Sequence, residues 1–258
     1  MSAKLSALAL AVGIFASSLV LADANTDRVR AGIARYTGGK VEVTSVSTTP
    51  IPGIFEVVSG TDVFYSDSTG RYALVDGRLV DTEKRQDLTQ ATLQKVSSID
   101  FKKLPLDLAI KTVIGSGKRQ LAVFEDPSCS VCRELHSTLS QLTDVTIYSI
   151  PLPIISEDST PAVAMTLCAP AGRRAAKWHA YMSGTESIPA QVEAGCEPAL
   201  EKVGKLLAFG NQYKIQNTPT MVLGNGQRMV GRVPIEILAT ALDVSMAKYF
   251  GKLNRRLP

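Results

Sequence analysis

Two cysteines separated by two residues constrain the fold of this chain more than any other feature. They are Cys129 and Cys132, in the run FEDPSCSVCRELH. Residues 119–127 form an apolar, strand-like run that ends at a proline, and residues 129–142 have helical spacing. The sequence therefore predicts a strand-to-helix junction, with Cys129 at the helix N-terminus and Cys132 one turn inside.

This position predicts redox chemistry for the pair. Backbone N–H groups and the positive end of the helix dipole favour a thiolate at Cys129, which makes it the attacking sulfur. Cys132 lies on the same helical face and is placed to attack a mixed disulfide formed at Cys129. We interpret the pair first as a redox-active dithiol.

Other uses of a Cys-x-x-Cys motif compete with this interpretation. Attachment of a c-type haem is excluded, because it requires His directly after the second cysteine and this chain has Arg133 there. A zinc site needs two more ligands at metal spacing, and the remaining cysteines, Cys168 and Cys196, form no second close pair. A zinc site and a purely structural disulfide remain alternatives, and redox exchange is favoured.

The N-terminus predicts an exported protein. Lys4 precedes an apolar run, Leu5–Leu21, which is followed by Ala22-Asp23-Ala24. This is the pattern of a secretory signal peptide with cleavage after Ala24. An uncleaved membrane anchor is the alternative, although the apolar run is short for a membrane span. We therefore expect an oxidising compartment, in which disulfide chemistry operates.

The charge of the chain does not indicate a nucleic-acid partner. The formal net charge is +4 at pH 7. The densest basic cluster lies at the extreme C-terminus and consists of Lys248, Lys252, Arg255 and Arg256. We interpret this cluster as a solvated tail and expect no binding to nucleic acid.

Two patterns divide the rest of the chain. Residues 40–81 favour short strands with turn signals at STG and VDG, and they follow a predicted helix, Thr26–Tyr36. We expect a small antiparallel sheet that gains stability by burying a face or an edge against a second copy. Helical spacing over Asp87–Lys103 predicts a connecting helix, and a second domain begins near Ile110.

Three features together resemble the DsbC/DsbG family of bacterial periplasmic disulfide isomerases, in the thioredoxin superfamily. They are the runs VFEDPSCSVC and NTPTMVLGNGQRMVG and the N-terminal sheet with its connecting helix. The resemblance implies an α+β fold and a homodimer formed through the N-terminal domain. The implied organisation is a signal peptide (1–24), a cystatin-like dimerisation domain (25–86), a linker helix and connection (87–109), and a thioredoxin-fold catalytic domain with a helical insertion (110–258).

The resemblance also implies roles for residues at the reactive site. Cys129 matches the nucleophilic cysteine of the family, and Cys132 matches the resolving cysteine. Thr218 and Pro219 match a Thr-cis-Pro dipeptide that faces the cysteines and binds substrate. This dipeptide precedes the predicted strand TMVLG, with which an extended substrate is able to pair.

The other two cysteines, Cys168 and Cys196, match a structural disulfide in the helical insertion of the family. An even number of cysteines in an exported protein also leaves these two to pair, with two unpaired thiols as the alternative. Such a crosslink would stabilise the fold by about 3 to 4 kcal/mol. The segment between them is rich in alanine and helical in its first half.

Polar side chains near the dithiol are candidates for modulating the thiols. Glu125 and Asp126 lie close enough in the chain to influence proton transfer, although acids at a strand end usually face solvent. His136 lies on the same helical face as the second cysteine, and the family has His at the matching place, but a solvated surface histidine is the alternative. Trp178 and His179 are expected to pack in the helical insertion.

The chain departs from the family between its cysteines. The dipeptide here is Ser130-Val131, where the family has Gly-Tyr or Pro-Tyr, so the resemblance implies no particular redox potential. The step Asp126-Pro127 resembles that of the DsbG branch, and this resemblance keeps reduction of sulfenylated cysteines open as an alternative.

These features predict a periplasmic thiol:disulfide interchange protein. It isomerises or reduces incorrect disulfides in misoxidised exported proteins through its dithiol, without a metal or an organic cofactor. The resemblance implies that a DsbD-like membrane reductant keeps the dithiol reduced. A sulfenic-acid reductase, a holdase chaperone and a DsbA-like oxidase are the alternatives.

Overall fold

The computed structural model describes the backbone of residues 15–253 and the side chains of residues 24–245. The chain forms two compact units, divided between Ser97 and Ser98. The domain boundaries predicted at residues 86 and 109 stay predictions. Among the helices described, none is both long and apolar enough to cross a lipid bilayer.

Two predictions concern residues beyond these limits. Residues 1–14 of the predicted signal peptide lie outside the described residues, and cleavage after Ala24 stays a prediction. The basic C-terminal cluster lies outside the described side chains, so its interpretation as a solvated tail also stays a prediction.

The N-terminal unit combines one long helix, α1 (Phe15–Tyr36), with short antiparallel strands. The strands pair in the order β1-β2-β3-β4, with a separate β5-β6 pair, and their bounds are β1 (Ser45–Thr48), β2 (Ile54–Ser59), β3 (Asp62–Asp67), β4 (Ala73–Leu74), β5 (Val80–Asp81) and β6 (Gln86–Asp87). Its core joins α1 to β2 through Val29, Ile33, Phe55 and Val57. The predicted small antiparallel sheet is confirmed. The predicted helix ends at Tyr36 as expected, but it begins at Phe15 rather than at Thr26.

The first strand begins later than the alternating sequence KVEVTSVS suggests. Residues 40–44 are not part of β1. Val41 and Val43 pack against the core of this unit, and the Val43 carbonyl accepts a hydrogen bond from the Arg30 guanidinium. Tertiary packing therefore overrides a local strand pattern at this point.

The connecting helix is shorter than predicted. It is α2 (Leu88–Val96), and Asp87 caps its start by accepting the Gln90 N–H at 2.7 Å. The prediction that it continues to residue 103 is wrong, because the chain leaves the helix to bury Ile99 in the C-terminal unit. The Ile99 N–H donates to the Gly226 carbonyl at 3.0 Å. Only a single 3₁₀ turn, Phe101–Lys103, follows.

The C-terminal unit is a five-stranded sheet with helices on both faces. The strands are β7 (Ile110–Ile114), β8 (Arg119–Glu125), β9 (Val145–Pro151), β10 (Thr220–Leu223) and β11 (Arg228–Val230). The helices are α3 (Ser130–Thr138), α4 (Ser159–Cys168), α5 (Ala171–Ser183), α6 (Ala199–Gln212) and α7 (Ile235–Leu253). The strand order is β11-β10-β8-β9-β7, and β8 runs parallel to β9 and antiparallel to β10.

β8 is the central strand, and both of its faces are covered. Leu121 and Val123 pack in one core with residues of α3 and α7, while Ala122 and Phe124 pack in the other with residues of α4 and α6. Burial on both sides explains why the strand reads as a continuous apolar run. The predicted strand, the helix after it and the later strand at TMVLG are confirmed, and α4 to α6 form the helical insertion.

Candidate active site: a buried dithiol

The cysteine pair lies where the central strand gives way to a helix. β8 ends at Glu125, and Cys129 is the N-cap residue of α3, in an extended conformation with φ −83° and ψ 112°. The Cys132 N–H donates to Cys129 Sγ at 3.2 Å. The predicted junction is confirmed, and a sulfur stands where a capping side chain usually offers oxygen.

Both thiols are free, and they differ in accessibility. Cys129 is 7% exposed, whereas Cys132 is 0% exposed. The Cys129 thiol donates to the Thr218 carbonyl oxygen at 3.3 Å. Cys129 is therefore the more accessible of the two cysteines.

The environment of Cys132 favours its neutral thiol. Burial raises the pKa of Cys132 well above its ordinary value, and the Cys129 sulfur raises it further. The Thr218 side chain and the Asp126 backbone lower that pKa in part. Among the described residues the Thr218 hydroxyl has no well-formed hydrogen bond, so it acts on Cys132 as a nearby dipole. Cys132 is therefore protonated at neutral pH.

Thr218 and Pro219 lie beside the cysteines, although 89 positions separate Thr218 from Cys129 in the chain. The peptide bond between them is cis, and β10 begins at the next residue. β10 pairs with β8 so that Thr220 lies opposite Phe124. This pairing carries the Thr-Pro dipeptide to the carboxyl end of β8, so the structure brings the four predicted reactive-site residues together.

Both acidic residues before the cysteines are buried, which corrects the expectation that they face solvent. Glu125 and Asp126 are each 0% exposed. They stand at the end of a central strand, so neighbouring segments cover them. Their side chains diverge, since Glu125 contacts α3 and α5 and Asp126 contacts the chain after β9.

Glu125 accepts hydrogen bonds from two helices. Trp178 Nε1–H of α5 donates to Glu125 Oε2 at 3.0 Å, and His136 Nδ1 of α3 lies 3.3 Å from Oε1. Burial lowers the pKa of His136, but the hydrogen bond to Glu125 and the charge of that carboxylate raise it by more, so the net pKa is raised. His136 is thus the partner of a buried carboxylate rather than a solvated surface residue.

The two aromatic residues predicted to pack in the insertion behave differently. Trp178 is buried, as expected, at 1% exposure. His179 is exposed, because the next position on α5 points to a different side of the helix. Its Nδ1 lies 3.3 Å from His136 Nε2. The two histidines of the chain therefore meet across α3 and α5.

Cys168 and Cys196 form a disulfide with an S–S distance of 2.06 Å. The bond joins the end of α4 to the segment just before α6. The cysteines of the chain thus form two separate pairs, one crosslinked and one free.

Two hydrogen-bond donors to Glu125 and Asp126 were not predicted from the sequence. Ser159 Oγ–H donates to Asp126 from 33 positions away, and Trp178 donates to Glu125 from 53 positions away. No local pattern marks either residue, because each matters only through a contact distant in sequence. Within residues 24–245, no group of three or more His, Cys, Asp or Glu side chains is arranged to hold a metal ion.

The fold and the free cysteine pair define a thioredoxin-like thiol-disulfide oxidoreductase. Residues 106–244 match the model of a thioredoxin-like domain, and residues 20–90 match that of the disulfide bond isomerase protein N-terminal domain. The chain belongs to the DsbC family of thiol:disulfide interchange proteins, an assignment that its similarity to curated relatives supports.

Two of these relatives come from Bordetella species. The probable thiol:disulfide interchange protein DsbC of Bordetella parapertussis is 37% identical over 220 residues, which cover 85% of this chain and 75% of the relative. The protein of the same description from Bordetella avium is 38% identical over 214 residues, covering 82% and 73%. A disulfide interchange protein of known structure from Neisseria gonorrhoeae is 31% identical, with a TM-score of 0.45, and the match covers 56% of this chain and 97% of that one.

Proposed function

We propose that Cys129 and Cys132 carry out the interchange reaction and that the protein isomerises incorrect disulfides in exported proteins. The observation that carries this proposal is the asymmetry of the two free thiols. Cys129 is the more accessible and caps a helix, whereas Cys132 is fully buried and has a raised pKa. Such asymmetry suits one attacking and one resolving cysteine.

Isomerisation uses Cys129 alone. Its thiolate attacks one sulfur of a substrate disulfide, a bond forms between Cys129 and that sulfur, and the other substrate sulfur leaves as a thiolate. This thiolate attacks a second substrate disulfide, and the newly freed substrate thiolate displaces Cys129 from the mixed disulfide. The substrate exchanges its pairing and the protein leaves reduced, so no net electrons are transferred.

Cys132 supplies a reductive exit from the mixed disulfide. The Cys132 sulfur attacks the Cys129 sulfur, its proton passes to the departing substrate sulfur, and the substrate leaves as a thiol. The substrate gains two electrons, while Cys129 and Cys132 become a disulfide. A DsbD-like membrane dithiol would then be needed to return two electrons to the pair.

Thr218 and Pro219 position the substrate in this proposal. The Thr218 carbonyl lies 3.3 Å from the Cys129 sulfur, so an extended peptide lying along this dipeptide would bring its own disulfide to Cys129. Backbone pairing is independent of side chains. Recognition of this kind suits a protein that acts on many misoxidised partners.

A homodimer in the periplasm completes the proposal. The N-terminal unit carries exposed apolar side chains at and beside β4, an outer strand of its sheet, namely Tyr72, Leu74 and Val75 at 64%, 62% and 65% exposure. An exposed apolar edge favours pairing with a second chain. The signal-peptide pattern at residues 1–24 supports export.

The test of this function is reactivation of a scrambled multi-disulfide protein by the purified, reduced protein. We expect the wild type to restore activity, Cys129→Ser to lose it, and Cys132→Ser to retain part of it while accumulating mixed disulfides. Ser137→Ala, an exposed change on the same helix, is the control and should behave as the wild type.

One outcome would refute the isomerase assignment. If the wild type fails to reactivate the scrambled protein while its dithiol cycles normally with glutathione, the cysteines serve another reaction. Reduction of sulfenylated cysteines would then be the function to test.

A further inference from the structure

The Asp126 carboxylate is enclosed by four hydrogen-bond donors. Oδ1 accepts the Ser128 N–H at 2.8 Å and the Ser159 Oγ–H at 2.6 Å. Oδ2 accepts the N–H groups of Ile154 and Ile155, each at 2.8 Å. A carboxylate has about four lone-pair sites. All of them accept a hydrogen bond, so the carboxylate is fully satisfied by the protein, and the predicted influence of Asp126 on proton transfer stays a prediction.

The donors come from two separate parts of the chain. Ser128 belongs to the cysteine loop, which we define as residues 126–129. Ile154 and Ile155 follow β9, and Ser159 is the first residue of α4. The carboxylate therefore ties the cysteine loop to the start of the helical insertion.

The backbone of Asp126 acts on both cysteines. Its carbonyl accepts the Cys129 N–H at 3.0 Å, and the Asp126 backbone lowers the pKa of the Cys132 thiol. A movement of Asp126 would therefore disturb the surroundings of both sulfurs at once.

We propose that Asp126 is a positioning residue for thiol-disulfide exchange, whose carboxylate holds the cysteine loop so that the Cys129 and Cys132 sulfurs stay within reach of each other. The inference rests on the proposed function of the two cysteines. Two thiols held in place have a high effective concentration toward each other, which favours their intramolecular disulfide. A looser loop lowers that effective concentration.

The test is the redox equilibrium between the full-length protein and glutathione. In this reaction the two thiols of Cys129 and Cys132 are oxidised to a disulfide, and one glutathione disulfide is reduced to two thiols. Asp126→Asn keeps the shape of the side chain but turns an NH₂ group toward two donors. We expect its equilibrium constant for disulfide formation to fall about tenfold.

Two further variants separate positioning from charge. Ser159→Ala removes one of the four hydrogen bonds to the Asp126 carboxylate and keeps the carboxylate itself. We expect its equilibrium constant for disulfide formation to fall about threefold. Asp158→Asn is the matched control, since this neighbouring carboxylate is exposed and makes no capping hydrogen bond. We expect its constant to equal that of the wild type.

Thermal unfolding, recorded beside the equilibrium, separates a positioning role from a purely structural one. A lower Tm for Asp126→Asn with an unchanged glutathione constant would overturn the inference. If Asp126→Asn does not fold, Ser159→Ala provides the test. An unchanged equilibrium constant for disulfide formation in Ser159→Ala would also overturn the positioning role of Asp126.

The same experiment distinguishes this inference from the proposed function. A wild-type pair that forms no disulfide with glutathione would overturn both. Failure of scrambled-protein reactivation alone would overturn only the isomerase function, because the glutathione equilibrium requires no protein substrate.

Discussion

At the scale of single residues, Glu125 and His136 show how burial changes the role of an ordinary side chain. A carboxylate with 0% exposure requires donors or a counter-charge, because an unpaired buried charge is strongly destabilising. Trp178 provides one donor and His136 provides the other, together with a positive charge when it is protonated. This pairing makes the stability of the fold depend on pH.

We expect the free energy of unfolding to decrease as the pH rises through the raised pKa of His136. Folding favours the protonated form, so the stabilisation is fully present below the unfolded pKa of about 6.5 and is lost as the pH rises through the folded pKa. His136→Gln removes this titration. Urea titrations at several pH values measure the free energy of unfolding. For His136→Gln this free energy should vary less with pH, and at the lowest pH it should be about 3 kcal/mol smaller than that of the wild type.

The exposed neighbour His179 provides the control for this experiment. His179→Gln keeps a polar group beside His136 Nε2 and should retain the wild-type slope of stability against pH. A slope that survives in His136→Gln would contradict the pairing of His136 with Glu125.

At the scale of elements, α1 rests directly on the turn between β3 and β4. A Cβ atom added to Gly32 would lie 1.9 Å from the Thr69 carbonyl oxygen, which is backbone and not a flexible side chain. Gly70 sits opposite with φ +70°, in the left-handed region that favours glycine. The helix therefore requires glycine at this position for close approach, whatever the cost in helix propensity.

We expect Gly32→Ala to destabilise the protein, against the usual trend for a helical glycine. Propensity alone predicts a gain of about 1 kcal/mol, but the clash with backbone should cost more and leave a net loss of about 2 kcal/mol. Gly204→Ala is the matched control, because Gly204 lies inside α6 with nothing within 4 Å of an added Cβ. Urea unfolding should show the two changes with opposite signs, and a gain for Gly32→Ala would contradict the packing of α1.

At the scale of the whole molecule, the chain is divided into two units with separate cores. The four cysteines all lie in the C-terminal unit, and the N-terminal unit has none. The sheet of the N-terminal unit leaves β1 and β4 as outer strands. Unpaired strand edges with exposed apolar side chains are a liability for a monomer, which supports a role for this unit in assembly.

We expect the wild type to sediment as a dimer and Leu74→Lys, on β4, to sediment as a monomer, because a charge on an outer strand opposes pairing. Val113→Lys is the matched control, since Val113 is 55% exposed on β7, an outer strand of the C-terminal sheet. Sedimentation velocity should show this variant as a dimer. A dimeric Leu74→Lys protein would place the interface elsewhere.

The sequence by itself determined the features that depend on neighbouring residues in the chain. Local patterns of side chains predicted the apolar run of β8, the helix that follows Cys129 and the small N-terminal sheet. The family resemblance rests on the same kind of local pattern. The family resemblance and the even number of cysteines also predicted the disulfide of Cys168 and Cys196, with two unpaired thiols as the alternative. Periodicity and spacing carry this information because they report which face of an element is apolar.

Only the tertiary structure decided which polar groups are buried and what they bind. The position of Glu125 and Asp126 at a strand end predicts that they face solvent, yet segments far along the chain cover both of them. The connecting helix ends at Val96 because Ile99 is buried in the next unit, which helical spacing does not reveal. The physical reason is that burial of a residue depends on the segments that pack over it, and these are brought there by the sheet order rather than by the adjacent sequence.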